Sequence, residues 1–190
     1  MKKNPIRDIT ICGIMSSLLC ISAMFTIPLP LTPVPVTLQT FFICVIAIVM
    51  SRRQAIVTVC IYLLMGVIGL PVFSGMRSGP GVLVGPTGGF LLGFIPAVAM
   101  ISTLFKHMYE NKKILPALNL SFSLIIGSLI IYAFGTAQLM GVNSLSLSGA
   151  LTAAVLPFVF GDTIKIAIAV FIIIPFYGKI CNMRGDFTKE

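Results

Sequence analysis

The chain has 190 residues, of which 57% are hydrophobic and only 9% are charged. A soluble domain carries roughly 25% charged residues, so 13 Lys and Arg with five Asp and Glu could not cover a water-facing exterior of this size. The composition excludes a soluble globular protein, a disordered chain and, despite a net charge of +8, a nucleic-acid-binding protein. It predicts an all-α integral membrane protein that uses the lipid bilayer as its main solvent.

Apolar residues form six stretches, which we interpret as six membrane-spanning helices of one domain covering residues 1–190. The predicted spans are about 9–27, 36–50, 55–70, 88–107, 116–138 and 156–178. A span needs about 20 residues, although shorter ones are tolerated. A merged second and third span would place Arg52 and Arg53 in the middle of the membrane, so we keep them separate. The first span exceeds the apolar region of a signal peptide, and we expect it to be retained.

The distribution of basic residues predicts the orientation. With both termini in the cytoplasm, the inner segments hold nearly all of them: Lys2, Lys3, Arg7, Arg52, Arg53, Lys106, Lys112, Lys113, Lys179, Arg184 and Lys189. The outer connections hold only Arg77, and Lys165 falls within the last span. Basic residues favour the cytoplasmic side of a membrane. The positive charge therefore indicates topology, and no nucleic-acid partner is needed to explain it.

The first predicted outer connection, residues 28–36, contains four prolines. Alternating prolines favour an extended backbone with few free donors. This segment is expected to form either a lid over the helices or a stiff turn at the membrane surface. Thr37, Leu38 and Gln39 follow it, and Gln39 is one of very few amides in an apolar context.

The second outer connection, residues 69–90, contains seven glycines and ends in Gly85-Pro86-Thr87-Gly88-Gly89. Glycines at the start of a helix expose backbone N–H groups to a ligand. They also allow two helices to pack closely, so both interpretations of this motif stay open.

Small residues recur on two of the predicted helices. In the first span, Gly13 pairs with Ser17 and Ser16 with Cys20 at the four-residue spacing that suits contact with another helix, within the chain or on a partner. In the fifth span, Ser121, Ser128, Tyr132 and Gly135 recur at roughly helical spacing. That pattern favours plain packing.

The last span carries the sharpest signal. Asp162 and Lys165 are the acidic and the basic residue predicted to lie within the membrane, and three residues apart they share a helix face with Phe158 and Ala169. Pro157 is expected to begin the helix, which places the pair in the outer third beside the two loops. A structural ion pair is possible, but ionisable groups in membrane helices more often mark a substrate or ion path.

The sequence lacks the residue patterns that common enzymatic mechanisms require. The chain has one histidine, His107, no phosphate-binding G-x-x-x-x-G-K-[ST] motif, and five cysteines without a C-x-x-C pair. We therefore expect no enzyme, no cofactor, no metal site and no disulfide framework.

Four segments together resemble the BioY family, the biotin-specific S components of energy-coupling factor (ECF) transporters. They are residues 33–39, 69–73, 85–90 and 161–165. The resemblance implies a six-helix protein of the bacterial cell membrane that binds biotin near the outer face. It also implies a transmembrane coupling protein and two cytoplasmic ATPases as partners. Members typically dock on the coupling protein through an Ala-x-x-x-Ala face on the first helix, where this chain has Gly13, Ser16, Ser17 and Cys20. They also often have Tyr at the position where this chain has Phe90.

The chemistry of biotin fits these residues, since its ureido ring has two N–H donors, its body is apolar and its tail is a carboxylate. The expected substrate-binding residues are Asp162, Lys165, Arg77, Gln39, Gly85, Thr87, Gly88, Gly89, Phe90 and Tyr132. Asp162 is expected to accept a ureido N–H, while Lys165 binds either the ureido carbonyl or the biotin carboxylate, with Arg77 as the other candidate for the carboxylate. The alternative function is a stand-alone secondary transporter of a small vitamin-like substrate, although we find no internal repeat.

Overall fold

A computed structural model describes residues 5–30, 32–110 and 115–184. The helices in these ranges are α1 (Pro5–Met24), α2 (Gln39–Val49), α3 (Arg52–Val67), α4 (Pro80–Val84), α5 (Gly88–Glu110), α6 (Pro116–Asn143), α7 (Leu147–Ala154), α8 (Leu156–Ile173) and α9 (Tyr177–Met183). Lys2, Lys3, Lys112, Lys113 and Lys189, which the predicted orientation uses, lie outside the described residues.

Four helical segments of the described chain are long and apolar enough to cross a membrane. They are Pro5–Met24, Gly88–Tyr109, Pro116–Asn143 and Leu147–Met183. Helices α2 and α3 overlap the predicted second and third spans, although α3 begins and ends three residues earlier than predicted, and their 11 and 16 residues fall short of the roughly 20 that a span needs. The mostly helical membrane architecture agrees with the sequence, and the count of six spans stays a prediction.

Several boundaries differ from the predicted ones. The predicted span 156–178 is one helix only as far as Ile173, where a 3-10 turn at Ile174–Phe176 precedes α9. Pro175 lies in that turn, and a proline cannot donate the hydrogen bond that would continue an α-helix. Helix α6 continues past its predicted end at residue 138, and α4 and α7 occupy segments predicted to be connections.

The proline-rich segment after α1 begins and ends in a small β-ribbon that the all-α prediction lacked. Strands β1 (Thr26–Ile27) and β2 (Val36–Thr37) pair antiparallel, with Thr26 opposite Thr37. Between them, Val34 is buried against Tyr132 and Phe158. The ribbon therefore holds Val34 and its described neighbours over the end of the bundle where α6 and α8 meet, and we call this the cavity end.

Close packing of α5 against α6 depends on glycines. A Cβ atom added to Gly89 would lie 2.3 Å from the backbone oxygen of Phe134, and one added to Gly127 would lie 2.3 Å from Ile101 Cδ1. Small residues at these positions let the two helix backbones approach each other, as is common in membrane bundles. This approach places Tyr132 of α6 and Phe90 of α5 at the cavity end.

A buried arginine fixes the opposite end of the bundle. Arg184, which is only 3% exposed, donates from Nη1 to the backbone oxygens of Ala47 at 3.2 Å and Ile48 at 2.7 Å. Its guanidinium also lies 5.2 Å from the centre of the Phe105 ring. The carbonyls in the last turn of α2 lack intrahelical partners, so Arg184 caps α2 and ties it to the segment that follows α8.

The packing predicts a stability difference between two glycine-to-alanine variants. Gly89→Ala should lower the free energy of unfolding by roughly 1–3 kcal/mol, because the new methyl group meets backbone that cannot rotate away. Gly141→Ala in α6 is the control, because a Cβ there meets nothing within 4 Å. Thermal unfolding in detergent measures both variants, and equal midpoints would contradict the proposed close approach.

Candidate functional site

A cavity of about 50 Å³ lies at the cavity end between α2, α5, α6 and α8. Val34 and Pro35 of the first loop cover it, and the glycine-rich connection contributes Ser74 and Thr87. Both predicted outer loops therefore border the same space. Its polar groups come mainly from α2 and α8, and its apolar side chains come from α5, α6 and Phe158 of α8.

An ion pair forms the floor of the polar side. Lys165 Nζ lies 2.8 Å from Asp162 Oδ1, and the two side chains are 15% and 7% exposed. Helix α8 begins at Leu156 with Pro157 in its first turn, which confirms the predicted start. Phe158, Asp162 and Ala169 are buried on one face of α8, as their spacing predicts.

Every donor of the lysine has a partner in the protein. Lys165 Nζ donates to the backbone oxygen of Thr37 at 2.8 Å, to Thr40 Oγ1 at 2.9 Å and to Asp162 Oδ1 at 2.8 Å. An ammonium group has three N–H donors and no acceptor. In this arrangement Lys165 binds the start of α2 to α8 and has no further donor to offer.

The carboxylate is held from two other helices. Thr40 Oγ1 donates to Asp162 Oδ1 at 2.9 Å, and Tyr132 Oη donates to Asp162 Oδ2 at 2.6 Å. A carboxylate has about four lone-pair sites. Oδ1 uses both of its sites on Thr40 and Lys165, whereas Oδ2 uses one, so Asp162 presents one acceptor site in the cavity that it lines.

Aromatic and aliphatic side chains form the opposite side. The rings of Phe90 and Phe158 lie 6.3 Å apart between centroids at an angle of 43°, and Leu91, Phe94 and Ile131 complete this side. A site with an apolar wall and a few convergent polar groups is the usual form of a small-molecule pocket.

The structure brings together six of the ten residues that the sequence analysis expected to bind substrate. Those that line the cavity are Asp162, Lys165, Gln39, Thr87, Phe90 and Tyr132. Thr87 Oγ1 is a buried hydroxyl without a hydrogen-bond partner among the described residues.

The remaining four do not line this cavity. Gly85 accepts a hydrogen bond from Gln138 Nε2 at 2.7 Å, and Cβ atoms on Gly88 and Gly89 would clash with the backbone of Leu83 and Phe134. These glycines serve close packing in this arrangement. Arg77 is exposed and turned toward its own loop, where its Nε donates to the backbone oxygen of Ser74 at 3.1 Å.

The small residues of α1 divide between two faces. Ser16 is buried and donates to the backbone oxygen of Thr58 in α3 at 3.0 Å, so it belongs to the interior. Gly13 and Ser17 are exposed, Cys20 is half-buried, and a Cβ on Gly13 would meet nothing within 4 Å. The face available to another protein therefore consists of Gly13 and Ser17, with Cys20 at its edge.

Sequence reasoning missed Thr37 and Thr40, which complete the polar side. The sequence could have indicated them by their position, since Thr37 and Thr40 stand on either side of Gln39 in an otherwise apolar stretch, where β2 ends and α2 begins. Their contacts with Lys165 depend on how α2 packs against α8, and no local pattern reveals that.

The buried pair predicts a specific order of stabilities. Lys165→Met should lower the free energy of unfolding by about 3–5 kcal/mol, because it leaves the buried Asp162 carboxylate without its cation. The double variant Asp162→Asn with Lys165→Met removes both charges and should recover much of the loss. Thermal unfolding in detergent without ligand gives the comparison. A double variant no more stable than Lys165→Met would show that the two charges are not coupled.

Comparison with known proteins agrees with this architecture. A sequence profile described as the BioY family matches residues 1–180. A biotin transporter of Thermotoga maritima is 37% identical over 166 residues, covering 87% of this chain and 93% of the relative. One of Lactococcus lactis subsp. cremoris is 36% identical over 165 residues and covers 87% of both chains.

A solved structure shares the fold. The S-component for biotin from an ECF-type ABC transporter superposes with a TM-score of 0.83, covering 91% of this chain and 92% of that one, at 22% identity. At that identity the likeness concerns the fold, whereas the sequence matches concern the family. The resemblance found in the sequence is confirmed, and the chain belongs to the BioY family.

Proposed function

We propose that this chain is the biotin-binding membrane subunit of a high-affinity biotin uptake system in a bacterial plasma membrane. Its relatives are named biotin transporters, so its role is transport and not catalysis. The observation that carries the proposal is the buried carboxylate of Asp162, which is fixed on three sides and presents one acceptor site in a cavity with an apolar wall.

Biotin matches the two sides of this cavity. A ureido N–H can donate to Asp162 Oδ2, and the thiophane ring and aliphatic tail suit Phe90, Phe158 and the aliphatic residues between them. The charge on Asp162 strengthens such a hydrogen bond relative to a neutral acceptor.

Lys165 acts mainly on Asp162 in this proposal. All three of its donors are used by Thr37, Thr40 and Asp162, so a direct bond to biotin would require one of them to be released. Lys165 therefore pairs with the carboxylate and keeps it aimed at the ligand. The biotin carboxylate would extend toward the loops, where Arg77 is the nearby base suggested by the sequence.

Binding requires the loops to move. The cavity volume of about 50 Å³ is far below the roughly 300–1,000 Å³ of typical ligand pockets. Val34 and Pro35 from the first loop and Ser74 from the second lie on the cavity, so displacing these segments enlarges it. This supports their proposed role as lids.

The cavity faces the outside in the proposed orientation, with both termini in the cytoplasm. Helix α2 leads from the cavity to Arg52 and Arg53, and α5 leads from it toward Lys106. These basic residues lie at the end opposite the cavity, and basic residues favour the cytoplasmic side.

Energy would come from partner proteins. The sequence has no P-loop for ATP, and the structural relative is a component of an ECF-type ABC transporter. We propose that a transmembrane coupling protein docks on the exposed Gly13 and Ser17 of α1 and connects the chain to two ATPases. Small residues at this spacing allow a partner helix to approach closely.

The first test is the affinity for biotin of purified protein in detergent. Asp162→Asn should weaken binding by about two to three decades, because half of the new amide presents donors where the ligand and Tyr132 also donate. Asp8→Asn is the matched control, since Asp8 accepts a hydrogen bond from Gln54 at the other end of the bundle. Titration calorimetry measures all three proteins, and equal affinities would refute the assigned role of Asp162.

Biotin methyl ester tests whether Lys165 binds the biotin carboxylate. If Lys165 acts through Asp162 or binds the ureido carbonyl, then Lys165→Met weakens the binding of the acid and of the ester alike. A loss confined to the acid would instead assign Lys165 to the biotin carboxylate.

Docking on α1 predicts a separation of uptake from binding. Gly13→Trp and Ser17→Trp should abolish biotin uptake by cells while purified protein keeps its affinity, because both positions are exposed and neither lines the cavity. Ala133→Trp on the exposed face of α6 is the control and should leave uptake intact. Uptake that survives both α1 variants would favour the stand-alone secondary transporter.

A further inference from the structure

A chain of hydrogen bonds outside the ion pair leads from the second loop to the cavity. Gln39, which lines the cavity and is 2% exposed, donates from Nε2 to Tyr62 Oη of α3. Tyr62 Oη donates in turn to the backbone oxygen of Val72 at 3.2 Å. Tyr62 itself is fully buried, and the binding proposal above gives it no role.

The last member of this series of hydrogen bonds, the carbonyl of Val72, determines which group donates and which accepts in each of them. A backbone carbonyl can only accept a hydrogen bond, so Tyr62 uses its single proton on Val72. The Tyr62 oxygen can then only accept, which requires Gln39 to turn its NH₂ group toward Tyr62. The carbonyl Oε1 of Gln39 is left as an acceptor, and among the described residues no hydrogen bond is made to it.

Packing around Val72 holds the loop end of this hydrogen-bond series in place. Phe73, next to Val72, is buried with its ring 5.7 Å from the Tyr62 ring in an edge-to-face contact. Gly66 leaves room for that ring, since a Cβ there would lie 2.1 Å from Phe73 Cζ. The N–H of Gly79 donates to the oxygen of Gly66 at 2.7 Å. The loop therefore fixes the carbonyl that orients Tyr62.

We propose that Tyr62 is a positioning residue that orients the Gln39 amide so that its oxygen accepts an N–H group of the substrate. This inference rests on the proposed function and deepens it. Asp162 Oδ2 and Gln39 Oε1 then supply two acceptors, which match the two N–H donors of a cyclic urea. Because Val72 belongs to the second loop, the position of that loop determines whether the second acceptor is in place.

A double-variant cycle with biotin tests the positioning role. Tyr62→Phe should raise the dissociation constant about tenfold, as expected for one misdirected hydrogen bond. In a Gln39→Met background the same change should have little effect, because there is no amide to orient. Tyr177→Phe is the matched control, since Tyr177 accepts a bond from the Asn119 amide at 2.8 Å at the opposite end. An equal loss in both backgrounds, or no loss in the parent, would overturn the proposal.

A second measurement does not depend on biotin. The chain has three glutamines, Gln39, Gln54 and Gln138, so side-chain amide resonances of protein labelled with ¹⁵N-glutamine can be assigned by substitution. Tyr62→Phe should shift the Gln39 amide signals and speed their hydrogen exchange, while those of Gln54 and Gln138 stay in place. Unchanged Gln39 signals would overturn the positioning role. A parent protein that fails to bind biotin while Gln39 responds would refute the proposed function but not the positioning role.

Discussion

Two opposite charges buried in an apolar helix impose the constraint on which the rest of the site depends. Asp162 and Lys165 must both be fully solvated by protein groups, since lipid offers none. Three donors of Lys165 and three acceptor sites of Asp162 are satisfied by Thr37, Thr40, Tyr132 and the pair itself. This requirement brings the start of α2 and the part of α6 around Tyr132 to one point on α8.

The remainder of the fold holds these three elements in place. Glycines allow α5 and α6 to pack closely, and this contact places Tyr132 and Phe90 beside α8. At the opposite end Arg184 binds the last carbonyls of α2, so α2 is joined to α8 at the cavity end and to the segment after α9 at the other. A buried pair of this kind contributes little net stability by itself. In the proposed function its value lies in an oriented carboxylate with one acceptor site left for the substrate.

Much of the site could be predicted because rare residues carry strong signals. Placing an acid and a base in an apolar membrane segment costs free energy, so such a pair indicates a function. Pro157 marks the start of the helix and thereby the predicted depth of the pair in the membrane. The glycine motif was harder to interpret, because glycine serves both backbone exposure to a ligand and close helix contact. The structure places Gly88 and Gly89 in the second role, and the contacts of Thr40 and Tyr62 arise from tertiary packing that spacing along the chain does not encode.

The central claim is that this cavity holds biotin in the membrane-embedded protein. Native mass spectrometry of the detergent-purified protein, prepared without added vitamin, tests it most directly. The account predicts an adduct with the mass of one biotin molecule that is lost in Asp162→Asn. An adduct with the mass of another vitamin, such as riboflavin or thiamin, or a biotin adduct that persists in Asp162→Asn, would contradict it.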